Sequence, residues 1–494
     1  MYHSFFRYTT LVLCFCAFLE SKPPKFEITP DMQGALDSIR PDPLRGDLSF
    51  LSSDLLEGRD TPSRGLEIAA EYIASQFRSA GLEPGGDEGS YFQKARMLVA
   101  RPDLTGFRLR INAGARSLDL DAKYASLVVS AALDLMDVPV FKLDLGNDDQ
   151  VRALTPAELN GKALIYELNR SGMRNYREAA RKIGEAKPAV VIRVDRSPAQ
   201  ERGPEERLVD PEKAVGATPR ITLNGESAAA FLGSLKHGSD GDTVSIHVAA
   251  PKTTPVELHN VIGILRGSDP ALKDTAVFVT AHYDHLGEKP DGPGDRIFNG
   301  ANDDGSGTVS VIEIARALSV LKQRPRRSIV FMTFFGEEKG LVGSNYYVEH
   351  PEWPLKKIVA DVNLEQVGRT DSNEGTQISN ASVTGFDYSD VTEYLHAAGE
   401  LTGIKVYKHP HNDAAYFAAS DNLAFAQAGV PAHTLCVAYE YPDYHAVGDE
   451  WQKIDYSNMA KVDRAVALGV LMLAASDQAP SWNTSDPATA AYRK

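Results

Sequence analysis

Cysteine is scarce in this sequence. The 494 residues contain three, and two of them, Cys14 and Cys16, lie near the start of the chain. If that first segment is removed, Cys436 remains as a single thiol, which cannot form an intramolecular disulfide. We therefore expect no stabilising disulfide, and we expect Cys436, which lies in an apolar strand-like run, to be a core residue rather than a nucleophile.

Long apolar segments are also scarce. Residues 11–19 form one short apolar run, which follows Arg7 and precedes polar, proline-bearing sequence. This run is too short to cross a bilayer comfortably and has the length of a signal-peptide core. We expect residues 1–22 to be a signal peptide and the protein to be secreted or periplasmic; the alternative is a buried N-terminal strand. No later segment resembles a transmembrane helix, so no membrane partner is expected once the signal is removed.

Positive charge is in deficit. The chain has 52 Lys and Arg residues against 67 Asp and Glu residues, and the resulting formal charge of −15 is spread along the sequence. Such a surface repels nucleic acid, which is therefore not expected as a partner. The apolar share of 43% and the charged share of 24% are those of a globular protein.

The length predicts two or three domains, and the apolar pattern divides the chain. Residues 30–95 have helical periodicity. Residues 101–250 contain short β-rich pieces joined by charged turns, which indicates a separate inserted module. Residues 255–475 alternate apolar runs with helical patterns, which is typical of an α/β fold with a mixed, mostly parallel sheet flanked by helices. The tail, 476–494, is expected to be frayed.

Acidic and imidazole residues follow four predicted strands. The strands 276–281, 329–335, 358–364 and 432–437 are followed, respectively, by His282-Tyr283-Asp284, Glu337-Glu338, Glu365 and Tyr444-His445. Asp303 lies in the turn that opens the predicted helix 308–321. In open α/β sheets, ligands bind at the carboxyl ends of strands, because the loops there converge. We therefore expect these residues to meet at one rim of the sheet.

Each of these residues has a simpler explanation when it is taken alone. A His-x-Asp pair at a strand end is most often a hydrogen-bonded surface pair, and consecutive glutamates are usually solvated. The turn Asn302-Asp303-Asp304-Gly305 could cap a helix, because Asn and Asp side chains accept hydrogen bonds from its free N–H groups. Taken together, however, these carboxylates at one end of one sheet would repel one another unless a cation neutralised them. The complete set favours a metal site.

A pair of zinc ions about 3.5–4 Å apart needs a bridging carboxylate, further His and carboxylate ligands, and one carboxylate that stays off the metals to move protons. Asp303 is well placed to bridge. The remaining ligands assigned on this basis are His282 and Glu365 for one zinc, and Glu338 and His445 for the other. Glu337 is then the general base and acid. Asp284, two residues from His282, can orient its imidazole.

The motifs that carry these residues resemble those of the co-catalytic zinc aminopeptidases, a family that also includes glutamate carboxypeptidase II and the glutaminyl cyclases. The matching motifs are AHYDH (281–285), GANDDGSG (300–307), FFGEEKGLVGS (334–344), NLEQVGR (363–369), ASDNLAFAQAGVPAHTL (419–435), DYHAVGDEWQKID (443–455) and LSSDLLEGRDTPSRG (51–65). The resemblance covers roughly 30–95 and 255–475. Residues 101–250 resemble, more loosely, the protease-associated (PA) domain that many members carry.

The resemblance implies a zinc exopeptidase fold, two zinc ions per chain and peptide substrates. It implies the same five metal ligands and Glu337 as the acid/base, in agreement with the roles deduced from the residues. Tyr444 matches a position that in some relatives hydrogen-bonds the tetrahedral intermediate, although a packing role is equally compatible. The chain departs from the family at Glu365, where the usual residue is Asp, and the longer side chain shifts the second metal or the pocket for a free amine.

The expected function is a zinc aminopeptidase that hydrolyses N-terminal residues from peptides by a metal-activated water. The alternatives are a carboxypeptidase of the same fold, a glutaminyl cyclase-like acyltransferase and a non-catalytic scaffold. The complete ligand set argues against the last two. The oligomeric state is left open. The loop 409–413 either lines the cleft or is solvated, and we expect it to be solvated.

Overall fold

A computed structural model describes residues 26–167, 170–196, 206–214, 217–238, 241–289 and 291–494. The predicted signal peptide lies outside these residues. The chain forms two compact units. The first comprises 26–93, Val261–Glu337 and Ser344–Lys494, and the second comprises Lys94–Asn260 with the short segment Glu338–Gly343.

The strands and helices are numbered in chain order. The strands are β1 (Glu83–Pro84), β2 (Phe92–Arg101), β3 (Arg108–Ala113), β4 (Arg116–Leu120), β5 (Ala125–Val128), β6 (Leu133–Leu143), β7 (Ala163–Glu167), β8 (Val190–Asp195), β9 (Arg207–Val209), β10 (Arg220–Asn224), β11 (Thr243–Val248), β12 (Lys252–Leu265), β13 (Ala276–His282), β14 (Gly287–Glu288), β15 (Ile297–Phe298), β16 (Ser328–Phe334), β17 (Ile358–Leu364), β18 (Asp371–Ser372), β19 (Gly375–Thr376), β20 (Asn380–Val383), β21 (Lys405–Tyr407) and β22 (Ala432–Cys436). The α-helices are α1 (Pro30–Ser38), α2 (Pro41–Leu51), α3 (Arg64–Ser79), α4 (Asp148–Ala153), α5 (Pro156–Leu159), α6 (Arg170–Glu185), α7 (Pro211–Ala214), α8 (Glu226–Gly233), α9 (Gly307–Ser319), α10 (Val342–Glu349), α11 (Val391–Thr402), α12 (Asn422–Gln427) and α13 (Tyr456–Ala475).

The first unit is built around a mixed sheet. Its strand order is β21-β20-β22-β17-β13-β16-β12, and β1 pairs with β12. Strand β13 is parallel to both β16 and β17, and β17 is parallel to β22, whereas β12 is antiparallel to β16. The predicted α/β class, with a mixed sheet and helices, is confirmed.

The central strands of this sheet are buried along their whole length. Every residue of β13, β16 and β17 is buried. Helices α9 and α13 pack against β13, and α12 packs against β17 and β22. Nearly continuous apolar strands are typical of parallel strands that are covered by helices. Because β13, β16, β17 and β22 run in the same direction, the residues that follow them leave the sheet at one edge.

Helix α3 confirms the helical periodicity read from residues 30–95. At its start, the Ser63 hydroxyl accepts a hydrogen bond of 3.0 Å from Leu66 N. Leu66, Ala69 and Ile73 are buried at helical spacing. Gly81, two residues beyond the helix end, has a φ of 72°, the left-handed conformation that commonly follows a helix terminus.

The second unit contains an eight-stranded sheet with the order β4-β3-β11-β6-β7-β8-β10-β5. Consecutive residues of its central strands point to opposite faces. Val140 and Ile165 pack into one apolar cluster, and Phe141 and Leu164 pack into another, so that both faces of the sheet are covered. In the same unit, β2 and β9 pair in antiparallel fashion.

The expectation of a frayed tail was wrong. Trp482 and Tyr492 are buried, with ring centroids 5.4 Å apart, and both rings contact Phe417. The Trp482 indole N–H donates a hydrogen bond of 3.0 Å to Gly429 O. Two aromatic residues separated by polar or small ones produce neither helical nor strand periodicity, so the pattern does not reveal this contact.

The expectation of a solvated loop at 409–413 was wrong for its first residue. His409 is buried, and its Nε2 lies 2.6 Å from a carboxylate oxygen of Glu374. Its Nδ1 accepts hydrogen bonds from the backbone N–H groups of His411 and Asn412. The imidazole therefore holds the loop together, a use that composition does not distinguish from solvation.

Cys436 is free and fully buried in β22, as expected of a core residue. Among the residues that the structure describes, no helix is both long enough and apolar enough to cross a membrane.

A buried carboxyl group lies between helices α9 and α13. Asp463 of α13 is fully buried, and Ser310 and Glu313 of α9 are among the groups that act on it. Burial raises the pKa of Asp463 to about 8; the Ser310 hydroxyl lowers this pKa and Glu313 raises it. The carboxyl is therefore neutral in the folded protein at neutral pH, whereas in the unfolded chain it is ionised above about pH 4.

Replacing Asp463 by Asn should reduce the pH dependence of stability. A carboxyl whose pKa is raised on folding binds more protons in the folded state, so its contribution to the free energy of unfolding falls as the pH rises from about 4 to about 8. The slope from one such group is at most about 1.4 kcal/mol per pH unit. Urea unfolding at about pH 5.5 and about pH 7.5 should show that the free energy of unfolding falls less between the two pH values in Asp463→Asn than in the wild type.

The matched control is Asp37→Asn, at an exposed position of α1. In this variant the free energy of unfolding should change with pH as it does in the wild type. Identical slopes in all three proteins would show that Asp463 is not a neutral buried acid.

Candidate metal centre

The Asp303 carboxylate lies between two imidazole rings. Its Oδ1 is 3.3 Å from His282 Nε2, and its Oδ2 is 3.1 Å from His445 Nε2. Asp303 and His282 are both buried. A carboxylate that directs one oxygen toward each of two ligand sets has the arrangement of a bridging ligand.

Two groups of potential ligand atoms share Asp303. His282, Asp303 and Glu365 each offer an atom within 4.8 Å of the other two, and so do His285, Asp303 and Glu338. The first group is the set predicted for one zinc ion. The second contains two predicted ligands of the other ion, with His285 as its imidazole. Imidazole and carboxylate groups are typical zinc ligands.

His445 is not a member of either group, but its ring lies near that of His285, with the ring centroids 5.8 Å apart. Apart from Asp303 itself, each of the predicted ligands thus has an atom within 4.8 Å of the Asp303 carboxylate. His285 belongs to the AHYDH motif, and no role was predicted for it from the sequence. The second imidazole of that motif is the signal that could have identified it.

Asp284 contacts both His282 and Glu337. Its Oδ1 lies 3.5 Å from His282 Nδ1 and accepts a hydrogen bond of 3.1 Å from Glu337 N. Glu337 Oε2 is 3.9 Å from His282 Nε2. A carboxylate on the far nitrogen of a metal-binding imidazole orients the ring, and here the same carboxylate also fixes the backbone of the predicted acid/base.

Tyr444 lies at the exposed edge of the site. Its ring stacks on that of His445, with a centroid separation of 4.0 Å, and Tyr441 makes an edge contact with the same tyrosine. The stacking positions the His445 ring. The catalytic role of Tyr444 stays a prediction.

The buried acidic groups shift one another's pKa values. Burial raises the pKa of Glu365 to about 7, and Asp303 contributes to the rise. Burial also raises the pKa of Asp304 well above its usual value. By contrast, burial lowers the pKa of His282, but Glu337 and Asp284 raise it by more, so that it lies well above its usual value. Imidazole and carboxylate charges are thus strongly coupled here.

The residues present fit a bound cation. Among the described residues, the buried His282 Nε2 has no hydrogen-bond partner of good geometry, so a metal ion can take the place of the proton on this nitrogen without breaking such a bond. Carboxylates crowded in a site of low dielectric are stabilised by a positive charge between them. The donor set of imidazoles and carboxylates is one that zinc accepts.

The Arg59 guanidinium joins the segments that surround this site. It is fully buried and donates hydrogen bonds of 2.5–2.9 Å to the carbonyl oxygens of Leu51, Tyr283, Asn299 and Gly300. Burial lowers its pKa to about 10, while several nearby aspartates raise it. Because it remains protonated at neutral pH, Arg59 also supplies positive charge close to the buried aspartates.

Two further side chains hold the turn that carries Asp303. Asp449 accepts hydrogen bonds from the backbone N–H groups of Asn302 and Asp303. Asn302 Oδ1 in turn accepts hydrogen bonds from Gly368 N and Arg369 N, at 2.8 and 2.9 Å. These roles of Asp449 and Asn302 were not predicted from the sequence, because their partners are backbone atoms that only the fold brings near.

Comparison with known sequences finds a family match in the part of the chain that carries the site. Residues 260–470 match the family described as Peptidase family M28. These residues are called the M28 domain below. The resemblance predicted from the motifs is thereby confirmed, and the M28 domain contains every predicted site residue.

Curated relatives of the M28 domain include aminopeptidases. The chain is 29% identical over 228 residues to Aminopeptidase YwaD of Bacillus subtilis (strain 168), an alignment that covers 45% of this chain and 46% of that protein. It is 26% identical over 349 residues to Leucine aminopeptidase 2 of Trichophyton rubrum, covering 65% of this chain and 64% of that protein. The aligned part spans less than two thirds of the length of either relative.

Among solved structures, the chain is similar to an aminopeptidase from Aneurinibacillus sp. strain AM-1. The TM-score is 0.55 at 21% sequence identity, and the superposition covers 92% of this chain and 97% of that one. At this level of identity the likeness supports the fold.

Replacing Arg59 by Met should destabilise the protein strongly. The substitution removes the Arg59 hydrogen bonds to four carbonyl oxygens, of which Gly300 O keeps a bond from Gly305 N, and it removes a charge that offsets buried aspartates. Removal of one partner from a buried charged network costs about 3–5 kcal/mol. Urea unfolding should therefore show a fall of that order in the free energy of unfolding.

Arg64→Met, at an exposed position in the first turn of α3, is the control and should change stability by no more than about 0.5 kcal/mol. Similar unfolding curves for both variants would contradict a structural role for Arg59.

Proposed function

We propose that this chain is a zinc-dependent exopeptidase that removes N-terminal residues from peptides, with the reaction taking place in the M28 domain. The observation that carries the proposal is the sharing of Asp303 by two sets of imidazole and carboxylate atoms. A bridging carboxylate of this kind is what a two-metal hydrolytic site requires.

In this proposal His282, Asp303 and Glu365 hold one zinc ion, and Asp303, Glu338 and His445 hold the other. When bound, such ions polarise the scissile carbonyl and bring the pKa of water from 15.7 toward about 7. The membership of His282, Asp303, Glu365 and Glu338 in two compact groups supports this assignment, and His445 is within 3.1 Å of Asp303.

Glu337 is proposed as the residue that moves protons. It takes a proton from the water as that water attacks the carbonyl carbon, and passes the proton to the nitrogen of the departing amine, so that free hydroxide need not form and an amide anion need not depart. Its backbone is held by Asp284, and its carboxylate lies 3.9 Å from His282 Nε2. That position is close to the ligands without belonging to either of the two ligand groups.

The charges around the site favour a free α-amine over a free α-carboxylate in the substrate. A carboxylate would need a cation, and two cationic side chains of this region are already engaged. Arg59 donates to four carbonyl oxygens, and Arg369 is paired with Asp371 and Asp443. An ammonium group, by contrast, is matched by the acidic cluster. We therefore favour aminopeptidase over carboxypeptidase action.

Two further parts of the prediction belong to this proposal. Export of the protein is supported by the signal-like run at 11–19. The β-rich unit is proposed to be a PA-like domain, which the β-rich composition of residues 101–250 and the two-sided sheet support.

Replacing Glu337 by Gln should leave zinc content unchanged and lower turnover by about 10²–10⁴, the usual contribution of general acid–base catalysis. Zinc can be measured by mass spectrometry of the purified protein and turnover with Leu-p-nitroanilide. Asp303→Asn should instead lose zinc, because one substitution removes a ligand from both ions.

Glu71→Gln, at an exposed position of α3, is the control and should match the wild type in both measurements. Wild-type turnover in Glu337→Gln would overturn the assignment of the proton carrier, and a wild-type chain without zinc would overturn the proposed function.

A substrate panel should separate the exopeptidase classes. Because the proposed site recognises a free α-amine, Leu-p-nitroanilide should be hydrolysed, whereas its N-acetyl derivative should not. A peptide mixture should release residues from the N-terminus. Release from the C-terminus would favour a carboxypeptidase, and cyclisation of an N-terminal Gln peptide without hydrolysis would favour a glutaminyl cyclase.

A further inference from the structure

The ligand Glu365 needs a restraint that an aspartate would not need. Glutamate has one more rotatable bond than aspartate, so its carboxylate can occupy more positions, and fixing it as a ligand costs more conformational entropy. A neighbouring donor that holds the carboxylate in place would therefore assist metal binding.

Gln366 provides such a donor. Its side-chain Nε2 donates a hydrogen bond of 3.2 Å to Glu365 Oε1. Gln366 is buried, and its Oε1 has no hydrogen-bond partner among the described residues. Since the carbonyl half of the amide is not engaged, the contact with Glu365 is the feature that fixes the side chain.

The backbone of Gln366 is held independently of its side chain. Its N–H donates to Asp304 Oδ1 at 3.1 Å, and its carbonyl oxygen accepts from Val437 N at 3.3 Å. Its φ of 54° lies in the left-handed region, where glycine and asparagine are favoured and longer side chains are uncommon. A glutamine at a strained position beside a ligand indicates that its side chain has a use there.

We propose that Gln366 is a positioning residue, whose amide holds the Glu365 carboxylate in the orientation in which it binds a metal ion with His282 and Asp303. This inference rests on the proposed zinc-dependent function and extends it to a residue outside the ligand set. Residues that orient metal ligands by hydrogen bonding typically contribute about 10–100-fold to metal affinity.

Ser420 supports Glu365 from a second direction. Its hydroxyl oxygen accepts a hydrogen bond of 2.8 Å from Asn363 Nδ2, which leaves the hydroxyl proton for another acceptor. The Ser420 hydroxyl also forms a hydrogen bond with the Glu365 carboxylate. Gln366 and Ser420 thus act on the same carboxylate, and Gln366 is the one whose side chain can be changed without disturbing a buried network.

The test is a double-mutant cycle on zinc affinity, measured by competition with a chromophoric chelator. The four proteins are the wild type, Gln366→Met, Glu365→Asp and the double variant. Methionine keeps the size and flexibility of glutamine but cannot donate. Gln366→Met should weaken zinc binding by about 10–100-fold when Glu365 is present. In the Glu365→Asp background, Gln366→Met should change zinc affinity by less than about 3-fold, because the shorter carboxylate side chain lies beyond the reach of the Gln366 amide.

A third variant separates positioning from stability. Gln366→Asn retains an amide and suits the left-handed backbone, so the urea midpoint should be equal to or higher than that of the wild type. Its side chain is one methylene shorter, so zinc affinity should still fall. Gln427→Met, at an exposed position, is the matched control and should retain wild-type zinc affinity.

The inference would be overturned by unchanged zinc affinity in Gln366→Met, or by equal losses in the Glu365 and Glu365→Asp backgrounds, since a general structural effect does not depend on the length of the carboxylate. In either case a wild-type protein that binds zinc and hydrolyses Leu-p-nitroanilide leaves the proposed function standing. A wild-type protein that binds no zinc would overturn the proposed function and this inference together.

Discussion

The concentration of negative charge at one edge of the central sheet is the constraint on which the remainder of the first unit depends. Asp284, Asp303, Asp304 and Asp449 are all buried there. Isolated buried carboxylates are too costly to persist, so each must be hydrogen-bonded, protonated or matched by positive charge. The hydrogen-bond donors around this edge meet part of this requirement, and the proposed metal ions would meet the rest.

The acidic residues satisfy part of this requirement by accepting hydrogen bonds from the backbone. Asp304 Oδ1 accepts from Gly307 N and Gln366 N, and so links the turn after Asp303 to the segment that follows β17. Asp449 links the same turn to the segment after His445. Side chains that would otherwise repel one another thus fix the relative positions of the loops that carry the ligands.

The residues of the candidate site were easier to predict from the sequence than the residues that hold the site in place. Parallel buried strands can be recognised from apolar runs, and parallel strands direct their following residues to one edge, which placed His282, Glu337 and Glu365 together before any coordinates. The residues that hold the site in place could not be predicted in this way. Arg59 binds carbonyl oxygens that lie up to 241 residues away, and backbone oxygens carry no signature in a sequence. The tail and His409 were misjudged because single buried aromatic or imidazole groups create no periodicity.

Arg59 has a consequence for how the polypeptide assembles. Its segment is synthesised before the β-rich unit, whereas Tyr283, Asn299 and Gly300 are synthesised after it. During translation Arg59 therefore stays exposed to water until Tyr283, which lies 224 positions later in the chain, has been synthesised. The hydrogen bonds that Arg59 donates to Tyr283, Asn299 and Gly300 can therefore form only after the whole inserted unit has been synthesised.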